Sequence, residues 1–393
     1  MKTFHCDHCD HLVFFENTHC VKCNHVLAYL PDLGVVGSLD PGKELGTWTS
    51  PIPRAADRTY RLCANYTEHN VCNWAIPAAD RHPLCQSCRL TRVIPDLSVA
   101  SHKESWYKLE IAKRRLVYTL TGLGLPILNK VDDPDRGLSF EFLADESAPS
   151  EQAAAGGEPT EVKRVLTGHA DGVITLNIAE ANDAEREKRR LQLREPFRTL
   201  LGHFRHEVGH YYWDRLINDG NRLDAFRAAF GDERADYGEA LKKHYETGAP
   251  VDWQAHCVSE YATAHPWEDW AETWAHYLHM TDTLETAASC GVSLRPRRRD
   301  DPSVKAIPDP MAASPTPFDN LMDSWFPVTY MLNNLNRGMG LPDGYPFVLS
   351  TPVIEKLRFI HDTIASVEIV SLAPASPPPV KAKPVATPVP AKA

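Results

Sequence analysis

Apolar residues recur at helical spacing from Ser105 to about Thr121, where Trp106, Leu109, Ile111, Leu116 and Leu120 define one face. The run Gly122 to Pro126 ends that helix. Leu138–Leu143 and Val173–Ile178 instead cluster or alternate β-branched and apolar residues, which predicts two strands. Between them, Ser147–Glu161 is rich in Ala, Gly, Ser and Glu and reads as a surface loop. Glu185–Arg194 is charged. A long helical pattern then runs from Pro196, a residue suited to a first helical turn, to about Ile217. Further helices are predicted at Arg222–Phe230, Asp236–Tyr245, Trp267–Met280 and Pro352–Ala365. Short β-prone pieces, His11–Phe15 and Val26–Leu30, lie in a turn-rich N-terminal region. Strands first and helices afterwards is an α+β order.

A chain of 393 residues exceeds what one core usually holds, so two folded units are expected. The expected division is a metal-stapled region over residues 1–95, a second domain over residues 100–370 and a tail over residues 373–393. That tail repeats small residues and prolines, and such a composition cannot bury enough apolar area to order itself. With 43% hydrophobic and 24% charged residues, the chain as a whole has the balance of an ordinary soluble protein. A net charge of −10 gives phosphate backbones no general attraction, so nucleic acid is not the expected partner. The N-terminus lacks the apolar segment of a secretory signal, and no apolar run reaches membrane-spanning length. The expected location is the cytoplasm. Nothing in the sequence fixes the oligomeric state.

Eight of the ten cysteines fall before residue 90, in metal spacing rather than in a disulfide pattern. Cys6-x2-Cys9 and Cys20-x2-Cys23 form two knuckles whose thiolates can converge on one tetrahedral ion. Cys63, Cys72, Cys85 and Cys88 form a second quartet, with His69 and His82 as possible substitutes. Four thiolates leave no open position, so both sites are expected to be structural zinc sites. Rubredoxin-like iron and iron–sulfur centres use the same ligands. Cys257 and Cys290 have no partner at metal spacing and read as buried small hydrophobes.

His206-Glu207-Val208-Gly209-His210 sets two imidazoles one helical turn apart, where both can reach one zinc ion. Glu207 then projects beside the open metal position, where a carboxylate can take a proton from an activated water. A third protein ligand is required, and Glu268 or Glu272, one turn apart on a later helix, can supply it. The other carboxylate can then accept the far N–H of a ligating histidine. His203, His276 and His279 are further histidines near the motifs, and Asp214 lies one turn past His210.

The motif His206 to His210, followed by Glu268-Asp-Trp-Ala-Glu272-Thr-Trp-Ala-His276, resembles a bacterial family of zinc-binding metallopeptidases. In that family a zinc-ribbon region precedes a zincin domain. Tyr60-Arg-Leu-Cys63-Ala-Asn-Tyr66 and Leu84-Cys-Gln-Ser-Cys88-Arg-Leu90 match it as well, and the resemblance spans residues 1–370. The helix bearing Glu268 is also similar to that of anthrax lethal factor, a gluzincin. That likeness implies Glu268 as the third ligand and Glu272 as the partner of a ligating histidine. It further implies Tyr261, seven residues before Glu268, as the group facing the oxyanion. The expectation is therefore an N-terminal double zinc ribbon followed by a zincin-like peptidase domain. It would hold one catalytic and two structural zinc ions and act on a peptide or protein. The alternative is an adaptor without catalysis, whose ribbons bind a protein or nucleic acid on a zincin scaffold.

Overall fold

The computed structural model describes residues 1–145, 165–193, 199–312 and 314–367, the side chains of 189–193 excepted. The Ser147–Glu161 loop, Pro196 and the tail over 373–393 lie outside them.

The chain is a mixed α+β protein. Its N-terminal region opens with the hairpin β1 (Phe4–His5) and β2 (Leu12–Val13), followed by a five-stranded antiparallel sheet. That sheet runs in the order β3 (Val26–Leu30), β4 (Val35–Pro41), β5 (Trp48–Thr49), β6 (Tyr60–Leu62) and β7 (Ala75–Pro77). Each knuckle of the first cysteine quartet closes on a residue with positive φ, Asp10 at 58° and Asn24 at 59°. Their amides donate back to the carbonyls of Cys6 and Cys20, at 2.8 Å each. Asp and Asn tolerate this left-handed turn better than other side chains, which is why the pair of thiols can fold toward one point.

A second sheet has the order β10 (Gly168–Ala170), β11 (Val173–Asn177), β9 (Ser139–Leu143) and β8 (Thr91–Val93). β10 runs antiparallel to β11, while β11, β9 and β8 are mutually parallel. Strand β8 follows Cys88 within three residues yet pairs with β9, so the last cysteine pair is tied directly to this sheet.

The helix Ala100–Gly122 lies between the two regions. Its Tyr118 packs edge-on against Phe15 and Tyr29 of the N-terminal region, with ring centroids 5.5 and 5.8 Å apart. Its Arg114 donates to the Val71 carbonyl, and Arg115 pairs with Glu16 at 2.6 Å. Phe140 and Phe142 of β9 pack on Phe204 of the next important helix, Leu200–Tyr212. The two regions thus share one continuous apolar core.

The helix Leu200–Tyr212, called the motif helix below, is opened by Thr199, whose hydroxyl accepts from the Gly202 amide at 2.9 Å. It loosens into a wider turn over Trp213–Asn218, so the predicted helical run to Ile217 is met with a change of pitch. Across it lies Pro266–Ser289, the carboxylate helix, which starts on Pro266 and extends nine residues past the expected Met280. The helices Leu223–Phe230, Tyr237–Thr247 and Thr351–Ala365 fall close to their expected spans. Two more, Asp183–Leu193 and Phe318–Gly338, were not expected from the pattern. None of the helices among the described residues is long and apolar enough to cross a membrane.

Candidate metal centre

The motif helix and the carboxylate helix cross at Gly209. A Cβ there would meet Ala271 Cα at 3.1 Å and Trp274 Cδ1 at 3.2 Å, so glycine allows the two backbones to approach. Trp270 Nε1 fixes the crossing by donating to the Gly209 carbonyl at 2.8 Å. Because His206 and His210 are one turn apart on the first helix, this crossing delivers Glu268 of the second between them.

The outcome is a three-atom cluster. His206 Nε2 lies 3.2 Å from His210 Nε2 and 3.1 Å from Glu268 Oε2, and His210 Nε2 lies 3.6 Å from that oxygen. A tetrahedral zinc with bonds of about 2.0–2.2 Å holds its ligand atoms about 3.3–3.6 Å apart, so the spacing fits. Glu268 Oε2 is buried and has no hydrogen-bond partner. An unpartnered buried carboxylate oxygen is costly, and a cation at this point removes the cost. Its other oxygen, Oε1, accepts from Tyr237 OH at 2.7 Å.

The supporting contacts are as specific. His206 Nδ1 donates to Glu272 Oε1 at 2.7 Å, and Glu272 Oε2 accepts from Ser259 Oγ at 2.6 Å. Ser259 in turn accepts from the Ala262 amide at 3.1 Å, which ties the Tyr261–Thr263 turn to the site. This arrangement presents the opposite imidazole nitrogen of His206 to the metal position. Burial opposes ionisation of Glu268, but His210 and His206 outweigh it and hold the carboxyl well below the usual range. Burial likewise opposes ionisation of Glu207, and the neighbouring His203, His206 and His210 hold it down. Three carboxylates, Glu207, Glu268 and Glu272, thus stand around the His206 and His210 rings in one site, a donor set of the kind that holds a dication.

Glu207, Tyr261, Tyr237, His169, Asp214, Trp213 and Trp267 line a cavity of about 260 Å³ together with the three candidate ligands. The Tyr261 ring lies 5.9 Å from that of His206. His276 and His279 do not line it: His276 is buried and His279 half-buried, His276 Nδ1 meeting Tyr345 OH at 2.8 Å and His279 stacking on the same ring. Burial pulls His276 down to about 4, the state of a core histidine. Tyr237 and Ser259 were missed in the sequence, since neither lies within a motif or at a fixed offset from one.

Both cysteine quartets converge. Cys6 and Cys23 thiols are 3.6 Å apart, as are Cys9 and Cys20, and Cys72 and Cys85 are 3.8 Å apart. Zinc bonded to sulfur at about 2.3 Å sets its thiolates about 3.8 Å apart. Within each quartet all four sulfurs lie within 4.8 Å of one another. Burial disfavours the Cys20 thiolate, but the amides of Cys23 and Lys22 and neighbouring thiols bring it down to about 6. His69 does not substitute; it packs edge-on against Trp106, and His82 Nδ1 accepts from the Leu84 amide. Cys257 is half-buried, while Cys290 is exposed, against the expectation of a buried hydrophobe, because it caps the end of the carboxylate helix.

The family described as "Putative zinc-binding metallo-peptidase" matches residues 102–363, and a zinc-ribbon domain family matches residues 3–99. Uncharacterized proteins of Mycobacterium bovis and of two strains of Mycobacterium tuberculosis are 41% identical over 368 residues, covering 93% of this chain and 96% of each relative. No solved structure matches the chain. A converged His206–His210–Glu268 cluster in the region of the first match, and two thiolate quartets in the region of the second, agree with the zinc in both descriptions. The chain belongs to this zinc-binding metallopeptidase family, with a zinc-ribbon domain ahead of its peptidase region.

Proposed function

We propose that this protein is a gluzincin-type zinc peptidase in which His206, His210 and Glu268 hold the catalytic zinc and the two cysteine quartets hold structural zinc, three ions in all. The observation that carries this reading is the tetrahedral spacing of three ligand atoms beside a buried carboxylate, Glu207, in one cavity. Zinc held there supplies a Lewis acid that polarises a carbonyl and acidifies a water. Glu207 takes the proton of the attacking water and passes it to the departing amine nitrogen. Tyr261 donates toward the oxygen on which negative charge develops, a role in which a neutral donor suffices. Glu272, held by Ser259, keeps His206 turned toward the metal position.

A peptide substrate fits the surroundings. Among the described residues β10 is an edge strand of its sheet, and its Gly168 and His169 line the cavity. The outer edge of such a strand can pair with an extended peptide and draw it across the site. The test is incubation of the purified protein with an unstructured protein substrate, alone, with chelator, and with chelator followed by zinc. Cleavage products that vanish with chelator and return with zinc are expected. Intact substrate in every arm contradicts the proposal and favours the adaptor reading.

A further inference from the structure

We propose that His203, anchored from behind by Glu180, is a positioning residue that holds the Glu207 carboxylate in its working orientation. This inference rests on the peptidase reading of the site.

His203 lies four residues before Glu207 on the same face of the motif helix. Its Nε2 is 3.2 Å from Glu207 Oε1, and its Nδ1 is 2.6 Å from Glu180 Oε2. Carboxylates stand at both nitrogens, and neither can donate when ionised, so the ring donates twice and carries a positive charge. Glu180 is fully buried in the turn after β11, and its Oε1 accepts from Thr167 Oγ1 at 2.8 Å. Its backbone carbonyl accepts from Arg186 Nη1 at 2.7 Å. The far end of the arm is therefore rigid.

Two features point beyond packing. A buried ion pair contributes little net stability over apolar side chains of the same volume, so a Glu–His–Glu chain is a poor choice for filling space. The arm also starts at Thr167, the residue before β10, and ends on Glu207, so it joins the strand proposed to carry the peptide to the group proposed to move the proton. With one oxygen of Glu207 tied to His203, the other is left to the cavity. The doubly protonated ring has no vacant nitrogen, so it does not receive the proton that Glu207 takes. That proton leaves on the amine.

The two nitrogens of His203 can be mimicked separately. In His203→Gln the amide reaches the place of Nε2 and can still donate to Glu207. In His203→Asn it reaches only the place of Nδ1, keeping Glu180 and losing Glu207. Both variants are compared with wild type for kcat, KM, zinc content and, in zinc-loaded crystals, the position of the Glu207 carboxylate. For His203→Asn, kcat should fall about 10–100-fold, as for loss of a group that orients a catalytic side chain, with KM and zinc content unchanged and Glu207 displaced. His203→Gln should keep most of the rate and leave Glu207 in place. If either variant does not fold, Glu180→Gln reads the arm from its far end and should loosen Glu207 at unchanged zinc content. Glu207 unmoved in His203→Asn, or equal rate loss in both variants with Glu207 in place, overturns the proposal. A wild-type protein that cleaves nothing refutes the peptidase reading instead, while the crystals still judge the arm.

Discussion

At the scale of single residues, the two glutamates of the carboxylate helix differ in what their oxygens meet. Glu268 puts an unpartnered oxygen at the metal position, whereas both Glu272 oxygens are engaged, one by His206 and one by Ser259. Removing Glu268 leaves two histidines, too few ligands for tight zinc, and removing Glu272 leaves three ligands but frees an imidazole to turn. Glu268→Ala should therefore be isolated with two zinc ions and no activity. Glu272→Ala should keep three while turning over about 10–100-fold more slowly. Elemental analysis and rates on the same preparations decide it, and the reverse pattern would exchange the two roles. The candidate pair His206 and His210 was legible because helical spacing is local, whereas spacing left Glu268 and Glu272 interchangeable and only the resemblance chose between them. Tyr237 and Glu180 were not legible, because their partners stand 31 and 23 residues away in sequence and only the tertiary fold brings them together.

At the scale of elements, the helix crossing at Gly209 is what brings the candidate ligands of two separate segments together. A branched side chain there must push against the Ala271 backbone and the Trp274 ring, which are not free to move in a packed core. Gly209→Val should cost about 1–3 kcal/mol or more of stability, and should loosen the cluster enough to weaken zinc binding. Thermal unfolding with and without added zinc measures both effects, and an unchanged melting temperature would show that the crossing has slack. The strands Ser139–Leu143 and Val173–Asn177 could be read from their apolar patterns, and the motif helix, though buried on nearly every side from Phe204 to Tyr212, from the length of its helical run. Phe318–Gly338 could not be, since Pro327 at its centre reads as a breaker; the buried stripe of Phe318, Leu321, Met322, Trp325 and Val328 carries the helix through it. β4 also escaped notice, because Gly37, Ser38, Asp40 and Pro41 interrupt its apolar run.

At the scale of the whole molecule, the cysteine spacing foretold two stapled sites, but how they attach to the rest depends on contacts that spacing does not encode. The second quartet is joined to the four-stranded sheet by β8 and to the helix Ala100–Gly122 by Arg114, while the first meets that helix only through side chains of its loop, Phe15 on Tyr118 and Glu16 on Arg115, and shares no strand with that sheet. Since folding of such sites is largely metal binding, loss of either quartet should unfold its own loops, with unequal consequences beyond them. A Cys6→Ser, Cys9→Ser double variant should leave hydrogen exchange in β9 and the motif helix near wild type. A Cys85→Ser, Cys88→Ser double variant should speed exchange in β9 and in Ala100–Gly122. Equal protection in both would show that the ribbon region is only a passenger.

Glu207 is the group proposed to move the proton, and one substitution isolates that role. Glutamine keeps the shape of the side chain and cannot accept the proton. Zinc-loaded wild-type protein and Glu207→Gln, matched at three zinc ions per chain, are compared by mass spectrometry for cleavage of an unstructured protein. Defined peptides are expected from wild type and, because a positioned base contributes about 10²–10⁴-fold, a rate at least about a hundredfold lower from the variant. Equal cleavage by the two proteins would contradict that role.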